Sequence, residues 1–313
     1  MSIKSLVDAY NALDKVDLRI LRVMEIAHSK YIYIPYKLIV NWSKYDEEII
    51  SKSLSKLNKL KLIQRMRGPY EGYRLTFRSY DILALHTLRK MNKVVSISPT
   101  PIGAGKEAEV YVGEAPGGLK VVLKFHRTGT SSFIHVRRFR AFLKKRRHLT
   151  KLYEARLSAQ MEYIALVEVF DAGGKVPEPI AANRHVVAMR YIDGLELYRV
   201  DPADPRAVLE DVEATVEAAL SRGIIHGDLT QYNVLVAGDE AYVIDWPQWV
   251  PIHHPNASKI LSRDLIELNN YFKKYNIEIN IEKINKIMNE YKEKVSPEHM
   301  SKLFTDALNI LER

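Results

Sequence analysis

Cysteine is absent from the 313-residue chain. That excludes disulfides, thiolate zinc sites and cysteine nucleophiles, and it fits a cytoplasmic location. No run of about 18 apolar residues occurs, so no membrane-spanning helix is expected. The first residues, MSIKSLVDAYNALDK, lack an uninterrupted apolar stretch, so no secretory signal is expected. Internal repeats and low-complexity tracts are missing as well. What is present, 47% hydrophobic and 27% charged residues, reads as a soluble globular protein long enough for two ordinary domains.

The net charge of +9 is unevenly placed. Residues 1–93 carry 18 Lys and Arg against 9 Asp and Glu, and residues 126–156 carry 10 against 1. The rest of the chain is net acidic. Two segregated basic blocks point to a polyanionic partner, most simply nucleic acid, rather than to a solvated surface alone.

Hydrophobic periodicity divides the chain near Val94. Over 17–93, Leu18, Ile20, Leu21, Met24 and Ala27 recur at helical spacing. IPYKLIVNWSK predicts a second helix with Pro35 near its start. Asp46 is placed to cap a third, whose apolar stripe is Ile49, Ile50, Leu54, Leu57 and Leu60, with Lys52, Ser53, Lys56 and Lys59 off it. LIQRMRGPYEGYRLT then reads as a two-stranded wing, and RSYDILALHTLRKM as a fourth helix. These elements predict a winged helix-turn-helix domain over 1–93. Beyond it, VVSISPTPIG, the re-entrant GAGKEAEVYVG and LKVVLKFH read as strands with APGG as a hairpin turn. Residues 127–149 read as a mobile loop passing into a helix. A long helix is expected from about Lys151 to Phe170, and HVVAMRYI reads as a strand. Asp204 and Pro205 mark the start of another helix buried through Val208, Leu209, Val212, Val216, Ala219 and Leu220, with Gly223 as its stop. Helices fill most of 257–313.

The chemistry concentrates after Gly223, in IIHGDLTQYNVLV followed by YVIDW. A buried carboxylate is costly unless it is paired or holds a metal. His226, Asp228 and Asn233 match the His-x-Asp-x-x-x-x-Asn spacing of a kinase catalytic loop, and Asp245 ends the next strand where a metal-binding carboxylate belongs. Asp228 is expected to reach the attacking hydroxyl. Asn233 and Asp245 are expected to share Mg²⁺ bridging ATP phosphates. His226 reads as a hydrogen-bonding scaffold rather than a proton carrier.

Upstream segments supply the nucleotide side. Gly103-Ala104-Gly105-Lys106-Glu107 lies between two strands, where a turn can set backbone N–H groups against phosphates; the third glycine of ordinary kinases is replaced by Ala108. Val110 is expected to cap the adenine. Val122 and Lys124 follow on the next strand, with Lys124 for the α/β-phosphates and Glu162 as its partner from the next helix, Glu154 being the competitor. Met189 is placed at the back of the adenine pocket, Arg190-Tyr191-Ile192 at the hinge, and Leu235 among the cofactor-binding residues. Asp245 is followed by Trp246-Pro247 rather than Phe-Gly, and no Ala-Pro-Glu follows, so a peptide-substrate platform is not expected.

GAGKEAEVYVG, HGDLTQYNVLV and VIDWPQ together resemble the RIO family of atypical kinases, and an N-terminal winged helix is the mark of its second subfamily. The resemblance covers nearly the whole chain. It implies an α+β, bilobal protein-kinase-like domain over 94–313 with a truncated C-lobe, its N-lobe at about 94–192 and its C-lobe at about 193–313. It also implies ATP with Mg²⁺ or Mn²⁺, serine/threonine autophosphorylation, an ATPase-like cycle with room for a phospho-aspartate at Asp245, and a role in maturing the small ribosomal subunit. The precursor particle and its rRNA are then the expected partners, through the winged helix and the basic 126–156 segment. The hydroxyls Thr128, Thr130, Ser131 and Ser132 are the expected autophosphorylation sites. A small-molecule kinase of the aminoglycoside or choline type shares the His-Gly-Asp and Ile-Asp signatures but leaves the winged helix unexplained. A transcription factor with a degenerate kinase domain is at odds with intact Lys124, Asp228, Asn233 and Asp245.

Overall fold

The computed structural model describes residues 3–105, 107–127 and 151–312. Lys106, the four hydroxyls at 128–132 and the basic cluster at 137–147 lie outside the described residues.

The N-terminal part is α1 (Ile3–Asn11), α2 (Lys15–Ala27), β1 (Ile34–Pro35), α3 (Tyr36–Ser43), α4 (Glu47–Lys59), β2 (Ile63–Arg67), β3 (Glu71–Leu75) and α5 (Phe77–Lys90). Strands β1, β3 and β2 form an antiparallel wing in that order. Asp14 starts α2 with a reciprocal capping box with Asp17. Ile20, Leu21, Met24, Ile39, Ile50, Leu54 and Leu57 are fully buried against one another, giving the expected winged helix-turn-helix. Three local expectations need correction. Ile49, expected on the apolar stripe of α4, is 41% exposed. Asp46 stands at the N-cap of α4 without a side-chain capping bond. Ser53 is buried, its hydroxyl donating to Asp17 Oδ1, and Lys56 reaches the same carboxylate at 2.6 Å. A buried Asp on α2 thus draws two residues of the nominally polar face of α4 inward, because a buried carboxylate must be paired.

The next layer is a five-stranded antiparallel sheet, β4 (Ser96–Ala104), β5 (Ala108–Glu114), β6 (Lys120–His126), β7 (Pro179–Asn183) and β8 (Val186–Arg190), ordered β4-β5-β6-β8-β7. Helix α6 (Lys151–Asp171) packs against it. Side chains alternate across a strand, so β6 turns Val121, Leu123 and Phe125 into the core shared with the winged helix and leaves Val122, Lys124 and His126 to the opposite face. The shared core runs from Leu6, Met24 and Leu83 through to Phe125 and Ala181. The turn between β7 and β8 reinforces the junction: Arg184, in the left-handed region at φ 54°, donates to Glu25 at 2.7 and 2.8 Å and to Leu83 O at 3.0 Å.

The remainder is built on β9 (Leu195–Glu196), α7 (Pro205–Ser221), β10 (Ile224–Ile225), β11 (Val234–Ala237), β12 (Glu240–Val243), β13 (Val250–Pro251), α8 (Ala257–Phe272), α9 (Ile281–Lys294) and α10 (Pro297–Glu312). Asp204 caps α7 through bonds from the N–H groups of Arg206 and Ala207, with Pro205 at the first helical position. Gly223 follows that helix at φ 76°, and a Cβ there would stand 2.7 Å from the Met300 sulfur, so only glycine makes this turn. Strands β12, β11 and β9 form a small sheet, and β10 pairs with β13. None of the described helices is long and apolar enough to cross a membrane.

Candidate active site

A cleft of about 720 Å³ separates the five-stranded sheet from the β11–β12 hairpin. Its roof is the β4–β5 turn, where Gly103, Ala104, Gly105 and Glu107 face the cavity and the Gly105 N–H donates to Ala108 O at 2.9 Å. Below the turn, β5 and β6 pair Val110 with Lys124, and β6 and β8 pair Val122 with Met189. Val110, Val122, Met189 and Ile192 therefore line one apolar wall, and Leu235 comes from β11.

The ion pairs sit at the inner end. Lys124 Nζ lies 2.7 Å from Glu162 Oε1 and 2.6 Å from Asp245 Oδ1. Glu162, on α6, is 1% exposed, and its second oxygen lies 2.6 Å from His126 Nε2. Burial alone would raise the Glu162 pKa. The charges of Lys124 and His126 and their hydrogen bonds outweigh it and hold the carboxyl at about 2. The Lys124 ammonium is likewise held above its ordinary value: burial opposes it, but two carboxylates prevail. Glu154 lies on the same helix, but it is Glu162 that meets Lys124.

The loop preceding the hairpin is fixed by its backbone. Gly227 takes φ 84°, and a Cβ on it would lie 2.5 Å from Gln248 O. Its N–H donates to the buried Asp264 at 2.8 Å, and Arg263, itself paired with Asp264, donates to the Gly227 carbonyl. His226 sits between two backbone groups: Nδ1 is 3.3 Å from the Asp228 N–H and Nε2 is 3.0 Å from Ile244 O. Both nitrogens are thereby engaged, the arrangement of a scaffold rather than a proton carrier. Asn233 Nδ2 donates to Asp228 O at 2.7 Å, which leaves the Asn233 carbonyl oxygen for another partner. Burial raises the Asp228 pKa; His226 opposes this, and the carboxylates of Asp245 and Asp264 add to it.

Asp245 adopts a left-handed φ of 66°, uncommon for a residue other than glycine. Trp246 and Trp249 hold the segment around it. The Trp246 indole N–H donates to Val243 O at 3.1 Å and its ring lies 4.5 Å from that of His226, while Trp249 donates to Met161 O at 2.9 Å. Trp249 thus ties the Asp245 segment to the helix carrying Glu162.

Of the sequence-derived site residues, all but three line the cleft. Lys106 lies outside the described residues. Asp228 and Asn233 are not among the lining residues; the Asn233 amide joins them through Asp228 O, and the Asp245 carboxylate acts on Asp228. His126, Arg127, Trp249 and Asp264 were not singled out from sequence. Strand alternation two residues past Lys124 was a signal for His126; Asp264, a helical Asp far along the chain, offered none.

The N-terminal region matches the family model "Rio2, N-terminal" over residues 10–91, and residues 109–286 match the "RIO domain" model. The chain belongs to the RIO kinase family. Among its relatives is the RIO-type serine/threonine-protein kinase Rio2 of Methanocaldococcus jannaschii, 37% identical over 259 residues that cover 80% of this chain and 94% of that protein. The serine/threonine-protein kinase rio2 of Schizosaccharomyces pombe is 36% identical, covering 86% and 78%. Among solved structures, the Rio2 kinase of Chaetomium thermophilum in an ADP/Mg²⁺–phosphoaspartate complex is 25% identical, with a TM-score of 0.75 and 98% of both chains covered. Another structure of that kinase is 29% identical with the same TM-score, covering 96% and 97%. These relatives are Rio2 serine/threonine kinases, and this RIO kinase shares their winged helix and cleft-bearing fold.

Proposed function

We propose that this RIO kinase binds ATP with Mg²⁺ or Mn²⁺ in the cleft and transfers the γ-phosphoryl group to a hydroxyl, to water or to its own carboxylate. The observation that carries the reading is Lys124, held between Glu162 and Asp245 at 2.7 and 2.6 Å at the inner end of a cleft with one apolar wall. The donor set fits a hard divalent cation. Asp245 Oδ2 is not taken up by Lys124, and the Asn233 carbonyl oxygen is left available by the bond its amide nitrogen makes. Among the described residues no cluster of three acidic or histidine side chains forms a metal site. Two protein oxygens completed by phosphate and water suit Mg²⁺. A cation there would neutralise phosphate charge.

The chain's own groups do the rest. Apolar Val110, Val122, Met189 and Leu235 suit a flat base. The β4–β5 turn presents backbone to the phosphates. Asp228, its pKa raised by burial, would accept a proton from the attacking hydroxyl or water. The family likeness, together with the phosphoaspartate of the Chaetomium structure, supports a second route in which an Asp245 oxygen attacks the γ-phosphorus, ADP departs, and water later cleaves the acyl phosphate.

Cytoplasmic maturation of the small ribosomal subunit is the biological reading we attach to this activity. It is supported by the family likeness, the cysteine-free composition and the two basic blocks. Within the winged helix, Lys52 and Lys59 remain candidate phosphate contacts, whereas Lys56 is committed to Asp17. Turnover of radiolabelled ATP by wild type and Asp228→Ala tests the enzyme; equal rates would overturn the assignment. Co-sedimentation with precursor particles, with and without ATP, tests the partner.

A further inference from the structure

Arg127 is the first basic residue of the second basic block, and its surroundings are unlike those of a solvated arginine. Its guanidinium bonds both oxygens of Asp81 on α5, at 2.8 and 3.1 Å, and Glu109 Oε2 on β5 at 3.1 Å. Its backbone N–H donates to Glu107 O at 2.6 Å, in the β4–β5 turn. It also lines the nucleotide cleft on one side and, on the other, a second cavity of about 360 Å³ between the winged helix and the sheet. Phe77 and Phe125 flank the guanidinium at 5.4 and 5.6 Å, and His185 Nε2 lies 2.6 Å from Asp81.

We infer that Asp81 of the winged helix is a positioning residue for the phosphate-binding turn, acting through Arg127. The inference rests on the nucleotide-binding reading of the cleft and adds a route by which the winged helix is felt there. Asp81 fixes the guanidinium, and the guanidinium holds Glu109, the second residue of the strand leaving the turn. The same residue's backbone holds Glu107 inside the turn. Charge-assisted bidentate bonds are strong and geometrically specific, and here they are mostly shielded from solvent, with Arg127 at 19% and Asp81 at 10% side-chain exposure. A displacement of α5 therefore moves a group that contacts the turn directly. Coupling between sites is reciprocal, so a partner that shifts α5 changes nucleotide affinity, and nucleotide changes affinity for that partner.

Glu25–Arg184 provides the control. It also clamps the winged helix to the sheet, but through the β7–β8 turn, and neither residue lines the nucleotide cleft. Titrate ADP–Mg²⁺ calorimetrically into wild type, Asp81→Asn and Glu25→Gln, and record melting temperatures without nucleotide. Asp81→Asn is expected to weaken ADP binding by about fivefold or more, the low end of usual site-to-site coupling. Glu25→Gln is expected to lower the melting temperature at least as far while ADP affinity stays within about twofold, since Glu25 bonds neither Asp81 nor Arg127 and Arg184 keeps its own bonds to Leu83 and Thr87 on α5. Unchanged affinity in Asp81→Asn, or equal losses in both variants, would overturn the inference. Should Asp81→Asn not fold, Glu109→Ala decides: it removes the acceptor that Arg127 holds on the kinase side, and an unaltered affinity there overturns the proposal equally. Wild type failing to bind ADP–Mg²⁺ would overturn the kinase reading and the inference with it, whereas wild-type binding with an indifferent Asp81→Asn sinks the inference alone.

Discussion

Replacing Glu162 by Gln removes one charge from a site that water barely reaches. In the folded protein the carboxyl titrates at about 2 against an ordinary 4.5. A depression of about 2.5 pH units at about 1.4 kcal/mol each gives about 3 kcal/mol of stabilisation at neutral pH. Removing one partner of a buried ion pair gives a similar figure, about 3–5 kcal/mol. Glutamine keeps the shape and one acceptor for Lys124, which places the expected loss at the lower end, about 3 kcal/mol. Urea unfolding followed by tryptophan fluorescence reads it, because Trp246 and Trp249 are buried beside the site. The pH dependence has a definite sign. A depressed carboxyl stabilises fully above its unfolded value and loses that stabilisation as pH falls through the folded one. The carboxyl's own share of the gap between wild type and Glu162→Gln should therefore stay constant above about pH 4.5 and shrink between about 4.5 and 2. A gap below about 1 kcal/mol, or one that widens between about pH 4.5 and 2, would refute the assignment of Glu162 as the buried partner of Lys124.

Five further outcomes are expected. Asp228→Ala should cut ATP turnover on the order of a hundredfold or more while leaving nucleotide affinity nearly intact. Because the Asp228 carboxyl is raised by burial, the acid limb of wild-type turnover should lie above the ordinary aspartate value of 3.8; a limb at or below it would show that another group sets the profile. Trp249→Phe keeps an aromatic ring but removes the N–H that reaches Met161 O, and should cost about 1 kcal/mol of stability, together with a lower turnover measured under saturating ATP. Lys52→Ala with Lys59→Ala should flatten the salt dependence of binding to precursor RNA without changing the melting temperature. Lys56→Ala should in addition destabilise the winged helix by about 1–2 kcal/mol once solvent screening is allowed for, because the buried Asp17 carboxylate loses the Lys56 cation and keeps the neutral Ser53 hydroxyl and Asp14 N–H; a melting temperature equal to that of the Lys52/Lys59 double variant would contradict that distinction.

The parts legible in the sequence were those set by local rules. Helix α7 announced itself through Asp204, Pro205 and Gly223, each acting within one turn of the helix. The kinase-like order of Lys124, Glu162, Asp228, Asn233 and Asp245 was legible because phosphoryl transfer needs those groups at the ends of successive elements, and the fold brings Lys124, Glu162 and Asp245 into direct contact. What escaped depended on distant partners. Helix α1 is short, and its place in the core is decided by contacts with β4 and α5. Strands β7 and β9 carry little alternation because their environment is set by β8 and β11. Ser53 looked solvent-facing by helical phase and was buried by an aspartate 36 positions earlier. Arg127 and Asp81 were each ordinary in sequence, and only the docking of the winged helix makes them a pair.

These contacts bear on where control of the enzyme resides. Many kinases are switched by moving the helix that carries the glutamate partner of the lysine, so that the ion pair forms only in the active state. Here that helix is held from two further directions: His126 occupies the second oxygen of Glu162, and Trp249 grips the carbonyl of the preceding residue, Met161. Both anchors are buried, so opening the pair would strand a carboxylate and an ammonium away from water at a cost of several kcal/mol. Withdrawing the glutamate is therefore an expensive way to turn this site off. The roof is different. The Gly103–Glu107 turn is exposed or nearly so along its described residues; beyond the β4–β5 ladder, the bonds from Gly105 N–H to Ala108 O and from Arg127 N–H to Glu107 O help to hold it. A perturbation that costs little energy acts on the roof, not on the ion pair, and the group that links the roof to the winged helix is the Asp81–Arg127 contact. Control of this RIO kinase should accordingly show itself as a change in nucleotide affinity and release, with the Lys124–Glu162 pair intact throughout the cycle.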